Sequence, residues 1–309
     1  MDLRLPTAHA YVLNPVLNFE AAKQQAVDKR LTIVAGGLSG LFSRPKPEEV
    51  DLAYSEFRYE AFWHVVCSVR YAFERNKNYN VPVTGVEVRK VTVLGQEFEV
   101  AAQQAPQQSS PAGFLQQIGQ QIGVAGATRT FSLPGVEYCI DENRQERFLD
   151  AVSNQAVAVG AEYIQKDKTE LADLAGLATG ETIVVAPQLT AAKVIKALLT
   201  TMLKQVQADR MLEEATTIET FDLYFRPVYA FELAWRPKNK TSVAEFDGVT
   251  GNMIAGRTVR TGGTLPSLAA LFDIAPDNVK ELFPDTVQDV QIVAEPAPGS
   301  SPAPESPAS

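Results

Sequence analysis

The stretch Trp63–Glu74 constrains this chain more than any other. Trp63, Val65, Cys67, Val69, Tyr71 and Phe73 alternate with His64, Val66, Ser68, Arg70, Ala72 and Glu74. A repeat of two residues is the period of a β-strand, whose successive side chains point to opposite faces. The apolar row is therefore expected to turn inward and the opposite row to stay wet. Arg75-Asn76-Lys77-Asn78 has the composition of a turn, which predicts that Tyr79 to Val83 returns as the second arm of a hairpin. Val86, Val88, Val91 and Val93, then Phe98 and Val100, predict one or two further strands joined through Gly95.

Other segments carry the helical period. Asn18 to Lys29 reads as a helix capped by Asn18, followed by a short apolar strand from Leu31 to Ala35. Phe131 to Ile140 reads as a strand, Asn143 to Val159 as a helix, and Asp167 to Ala175 as a shorter one. The clearest helix starts near Thr190: Ile195, Leu198, Leu199, Met202, Leu203 and Val206 form an i, i+3, i+4 stripe that can run on to Glu214. The period then returns to two. Phe221, Leu223 and Phe225 form one strand and, after Arg226-Pro227, Tyr229, Phe231, Leu233 and Trp235 form another. Arg236 to Lys240 turns the chain, Thr241 to Phe246 pairs back, and Asp247-Gly248 with Thr250-Gly251 closes the unit.

These elements predict an α+β fold of antiparallel sheets packed with helices. The expected divisions are a sheet unit at 1–160 with a Gln-rich insertion at 101–128, a helix-plus-hairpin unit at 161–262, and an extension at 263–295. That extension holds two helical pieces, Pro266 to Phe272 and Pro276 to Phe283, and a strand-like Val287 to Val293. Twelve of the fourteen residues from 296 to 309 are Pro, Ala or Ser, too little apolar surface to order the segment, so it reads as a disordered tail.

Two segments echo each other. Phe57-Arg58-Tyr59 and Phe225-Arg226-Pro227 each lead into an aromatic strand, a loop beginning at Arg75 or Arg236, and a returning strand. The echo predicts two sheet units related by duplication. Residues 190–255, a helix followed by aromatic strands ending in Glu245-Phe246-Asp247-Gly248-Val249-Thr250-Gly251, are similar to a PepSY-type module. That small helix-plus-hairpin unit often ends in an acidic residue, a small residue and Thr-Gly. The resemblance implies a binding or regulatory module that acts on peptidases, and makes Asp247 and Gly248 turn residues, not a catalytic pair.

Chemistry-bearing residues are scarce. The chain has two cysteines and two histidines, and 28 basic against 37 acidic side chains leave a net charge of -9. Aromatic ribbons with Arg58, Arg70, Arg75 and Arg236 nearby are a combination used to bind single-stranded nucleic acid, but an acidic chain lacks the basic excess that displaces counterions and most of these aromatics fall on one face, so they are read as core. The N-terminus has no basic, apolar export signal and no run of about 18 apolar residues occurs, which predicts a cytoplasmic chain with reduced Cys67 and Cys139.

Leu31-Thr32-Ile33-Val34-Ala35-Gly36-Gly37 resembles the start of a dinucleotide fold. Ala35 stands where the first glycine is needed, and Pro45 and Pro47 interrupt the following helix, so a glycine-rich turn and no cofactor is expected. His64 and Cys67 have the spacing of a metal half-site, with Cys139 as a third ligand. On a regular strand residues i and i+3 point apart, which argues against that site. There is no Gly-x-Ser-x-Gly elbow, and any Cys–His pair must use His9 or His64. Phe114, Leu115, Ile118 and Ile122 lie at helical spacing among glutamines, as in a helix packed on its own domain.

The sequence thus predicts a cytoplasmic, non-enzymatic binding or scaffold protein that contacts another protein through the insertion and the tail, with room for a homo-oligomer. Two alternatives remain: a carboxylate-based hydrolase with a cleft between the sheet units, and a small metal-binding protein using His64, Cys67 and Cys139. No catalytic residue is assigned.

Overall fold

The alternation at Trp63 belongs to a much longer strand than a hairpin arm. The computed structural model describes residues 2–35, 45–102, 129–274 and 291–292. Of these, 49% lie in strands and 19% in helices, which overturns the α+β expectation in favour of a mostly β fold. The strands are β1 (Asp2–Arg4), β2 (His9–Leu13), β3 (Val50–Val83), β4 (Lys90–Val93), β5 (Gln96–Glu99), β6 (Ala101–Ala102) and β7 (Arg129–Asp150). They continue with β8 (Lys168–Glu170), β9 (Ile183–Val184), β10 (Arg210–Trp235), β11 (Lys240–Asp247), β12 (Met253–Ala255) and β13 (Gln291–Ile292). One large mixed sheet runs in the order β12-β11-β10-β3-β7-β6, with the shorter β1, β2, β8, β9 and β13 paired beside it.

Three segments expected to turn, to be helical or to break are strand, and partners distant in sequence explain each. At 75–78 there is no turn: the amide of Asn76 donates to the Asp209 carboxylate at 2.6 Å, while Arg75, Lys77 and Tyr79 reach from one face to Glu137. Without a turn there, the first half of the echo disappears, and duplication with it. At 143–150 the helix is replaced by the end of β7, where Arg144 reaches Glu219 at 2.8 Å and Glu146 meets His64 at 2.8 Å. At Arg226-Pro227 the chain stays extended. β2 pairs with β10 in parallel as far as Phe225↔Val12, and β11 pairs antiparallel from Val228↔Asp247. Proline, which has no N–H to give, sits in the gap between these two edge partners, and its carbonyl accepts the Gly248 amide at 2.9 Å. The approach is so close that a Cβ on Gly248 would stand 3.0 Å from that carbonyl oxygen, so position 248 needs glycine.

Other departures are local. Leu31 to Ala35 is helical, within the helix Arg30–Ala35, because it folds back on the sheet to bury Val34 against Val50, Leu233 and Trp235. The Asp167–Ala175 helix is β8, bonded antiparallel to β2. The helix after Thr190 ends at Met202 and does not reach Glu214. The helix Phe19–Asp28 forms as expected, with the Asn18 side chain accepting the Ala21 amide. The turn at 236–239 forms with Asn239 left-handed, Gly251 has positive φ, and Leu268–Phe272 is helical. The glycines at 36, 37 and 40, the insertion from 103 to 128, the helix at 276–283 and the tail from 296 lie outside the described residues.

The chain divides into two compact units, 1–70 with 142–205 and 215–309, and 71–141 with 206–214. In the first unit, Ala22 and Ala26 of the helix Phe19–Asp28 pack on Tyr229, Phe231, Ala244 and Phe246. A second cluster gathers Leu13, Phe62, Tyr163, Tyr224 and Val249. The apolar row from Trp63 is buried as expected. The opposite row is not wet: from Ala61 to Cys67 every residue is buried, so both faces of β3 are covered there. In the second unit, β4 and β5 form a hairpin turned by Leu94 and Gly95, both with positive φ, and Phe98 packs on Phe131.

Candidate functional site

His64, Cys67 and Cys139 have separate surroundings. The His64 ring stacks on Phe148 at 4.7 Å and its Nε2 meets the Glu146 carboxylate, while Nδ1 is buried with no hydrogen-bond partner. The Cys67 thiol is fully buried. Burial, then the negative charge of Glu219, pushes its pKa up to about 12, so it behaves as a small apolar group. The Cys139 sulfur lies 3.9 Å from an Arg75 nitrogen. Among the described residues no three His, Cys, Asp or Glu side chains come together as a metal site.

Around His64 the fold builds a polar cluster that sequence reasoning missed. Parallel pairing of β2 on β10 sets His9 beside Asp222 and Tyr11 beside Tyr224, and antiparallel β8 sets Glu170 beside Tyr11. His9 Nδ1 lies 2.7 Å from Glu170, and Lys168 donates to the Tyr224 hydroxyl at 3.0 Å while lying over the rings of Tyr11 and Tyr224. The Tyr224 hydroxyl in turn bonds the Asp222 carboxylate. Burial raises the Asp222 pKa above the ordinary aspartate value, although His9, His64 and Lys168 pull the other way. Both histidines of the chain thus act on one half-buried carboxyl.

The raised pKa of Asp222 has a measurable consequence. The folded state holds this proton more tightly than the unfolded state, so its contribution to stability is full below the unfolded pKa, about 3.9. It is lost as pH rises through the folded value. Asp222→Asn cannot ionise and escapes that loss. Urea melts across acidic to neutral pH are expected to show the variant gaining on the wild type as pH rises. A wild type that gains on the variant instead contradicts the burial argument.

A second polar group lies under the loop 256–262. Arg58 is wholly buried and donates to Glu56 at 2.6 Å, Glu60 at 2.8 Å, Glu245 at 2.6 Å and the Arg257 carbonyl at 3.1 Å. Arg226 meets Glu60 at 2.6 Å and bonds the Tyr163 hydroxyl, which donates to Asp247. Burial opposes ionisation of Glu60, but Arg226 and Arg58 outweigh it and hold its pKa below the ordinary range. Asp247 also caps its own turn through the amides of Val249 and Thr250. Every member is partnered, as expected of a group that fixes structure.

The third feature is on the surface. Along β7, side chains alternate between half-buried and exposed from Ser132 to Glu146. In the second unit this places Val136, Tyr138 and Ile140 together on one face, exposed by 63%, 62% and 51%. The other face carries Glu137 and Cys139 between them. Glu137 there is held at about 2 by hydrogen bonds from Lys77 and Tyr79, with Arg75 adding a third. A row of large apolar groups on one strand is the usual mark of a contact surface.

No helix among the described residues is long and apolar enough to cross a membrane. Compared with known proteins, the chain matches no family model, no curated protein and no solved structure.

Proposed function

We propose that this chain is a cytoplasmic, non-enzymatic binding or scaffold protein that holds another protein against the exposed row of β7. The observation that carries this reading is the exposure of Val136, Tyr138 and Ile140 at successive outward positions of one strand. Leaving such groups in water forgoes roughly 25 cal/mol for each Å² that a partner could cover. A tyrosine at the centre suits an interface, because its ring buries large area while its hydroxyl tolerates a wet rim. The free thiols of Cys67 and Cys139 fit a reducing compartment, and the net charge of -9 speaks against nucleic acid as the partner.

Tyr138→Asp tests the reading. The side chain is exposed, so the variant is expected to melt within about 0.5 kcal/mol of the wild type. It is also expected to lose its partner in affinity purification by at least about tenfold, since a charge replaces an apolar anchor. Equal recovery of partners by both proteins would overturn it.

One observation favours a second reading, a carboxylate-based hydrolase: half-buried Asp222, paired in register with His9, has a pKa raised by burial, the kind of perturbed carboxyl that catalytic sites use. Any hydrolytic activity of the pure protein that survives Asp222→Asn eliminates that role.

A further inference from the structure

The geometry points to a second copy of this chain as the occupant of the β7 edge, an inference that rests on the exposed row being a contact surface. The backbone supplies the first argument. Near the end of β7 the Phe148 carbonyl accepts from Val157 and the Asp150 amide donates to Gln155, both at 2.8 Å, while the Ala151 amide turns the other way to Ala61 of β3. Even-numbered residues of β7 therefore aim their N–H and C=O groups away from β3. The burial alternation is unbroken from Ser132 to Glu146, and contacts with β3 keep one register on both sides of Arg147 (Ala61 with Ala151, His64 with Phe148, Arg70 with Glu142, Arg75 with Glu137), so Ser132, Val136, Tyr138 and Ile140 share that direction. Pro134 falls at the same parity, where its missing N–H costs the β3–β7 ladder nothing. Among the described residues, β6 pairs only with Arg129 and Thr130, and an isolated bridge at Leu149 is the next partner on that side. The backbone groups that face outward thus belong to the same residues whose apolar side chains are exposed.

The second argument is self-complementarity. An antiparallel copy placed on a two-fold axis through Tyr138 sets Val136 opposite Ile140 and Tyr138 opposite itself. Each of these outward-facing pairs exchanges two N–H···O bonds. Pro134, with no donor, ends the ladder symmetrically on both sides. Charge agrees: although the chain carries -9, no outward side chain from Ser132 to Ile140 is charged, so no like charges face each other at the seam. Glu137, on the opposite face, is already neutralised by Arg75 and Lys77. Open edges are usually blunted by charges or covered. From Pro134 to Ile140 the outward row of this one carries no charge, and charged side chains return only at Glu142, where the ladder ends against Pro134 of the copy, as suits an isologous pair.

Sedimentation of the full-length protein across the micromolar range is expected to show a monomer–dimer equilibrium. Tyr138→Lys, which brings two ammonium groups together at the axis, is expected to leave a folded monomer. Register is read by mild oxidation in a Cys139→Ser background. Tyr138→Cys faces itself at a Cα spacing of about 5.5 Å, within disulfide reach, and is expected to yield a covalent dimer. Val136→Cys lies four residues from its own copy, roughly 14 Å away at 3.4 Å per residue, and is expected to stay unlinked. A monomer at every concentration, a dimer indifferent to Tyr138→Lys, or linkage through Val136→Cys in place of Tyr138→Cys overturns the proposal. A monomer that binds a different protein and loses it with Tyr138→Asp sinks self-pairing while leaving the binding reading in place.

Discussion

Arg58→Met is expected to lower the unfolding free energy by about 3–5 kcal/mol, the range found when one member of a buried ion group is removed. Arg58 has no exposed surface, and three carboxylates converge on its guanidinium within 2.8 Å. Methionine fills much of the same volume but leaves Glu56 and Glu245 without their nearest cation. Glu60 keeps Arg226. The damage spreads to the loop 256–262, because Glu56 also accepts the amides of Val259 and Arg260. The pH dependence follows from Glu60. Its depressed pKa gives the wild type stability that is present above the ordinary carboxylate range and lost as pH falls through the folded value. The gap between wild type and variant is therefore expected to be widest near neutral pH and to narrow in acid. Adding Glu56→Gln and Glu245→Gln to Arg58→Met is expected to recover part of the loss, since uncharged amides need no counter-ion. Arg58→Lys is expected to recover less, as one ammonium group cannot fork to three acids. A deficit for Arg58→Met below about 1 kcal/mol in urea melts would mean that the group is replaceable packing.

The fold was legible wherever a local period decides structure. The buried row from Trp63, the helix capped by Asn18, the helix after Thr190, and the β10–β11 hairpin turned at Asn239 all follow from residues close in sequence. The misreadings share a cause. Arg75-Asn76-Lys77-Asn78 has turn composition, Asn143 to Asp150 has helix-forming composition, and Pro227 commonly ends a strand. Each is held extended by a partner distant in sequence: Glu137 and Asp209 for the first, His64 and Glu219 for the second, Gly248 for the third. Local propensity is a weak prior that such long-range pairing overrides. Because these are the segments that lengthen β3, β7 and β10, misreading them also produced the α+β assignment and the apparent duplication.

The site was legible in part. The spacing of His64 and Cys67 hints at a metal half-site, whereas the neighbours of His64, Glu146, Phe148, Tyr224 and Asp222, gather only through the pairing of strands remote in sequence. No spacing rule announces that residue 9 lies in parallel beside residue 222. The Arg58 group did leave a trace: Glu56, Arg58 and Glu60 occupy one face of a strand at intervals of two, an arrangement of alternating sign worth flagging on any strand expected to be buried. The β7 row was likewise visible, since Val136, Tyr138 and Ile140 alternate with Glu137 and Cys139. Alternation cannot say which row faces the core, and here the apolar one faces water.

Trp63→Ala is expected to cost about 3–5 kcal/mol, as large-to-small changes at fully buried aromatic positions do. Trp63 stacks on Phe221 at 4.7 Å and meets the edge of Phe272 at 5.4 Å, and its indole N–H donates to the Leu189 carbonyl at 3.1 Å. Truncation opens a cavity between β3, β10 and the helix Leu268–Phe272 and strands a carbonyl just before the helix Ala191–Met202. Trp63→Phe separates these effects. It retains most of the stacking and removes the hydrogen bond, so a loss of about 1–2 kcal/mol is expected, the cost of a part-buried acceptor left without its donor. If Trp63→Phe costs as much as Trp63→Ala, the hydrogen bond to Leu189 anchors the connection into that helix and packing is secondary. If both cost little, the side chains around Phe221 collapse into the space, and the strand that most constrains this sequence does so through its backbone pairing alone.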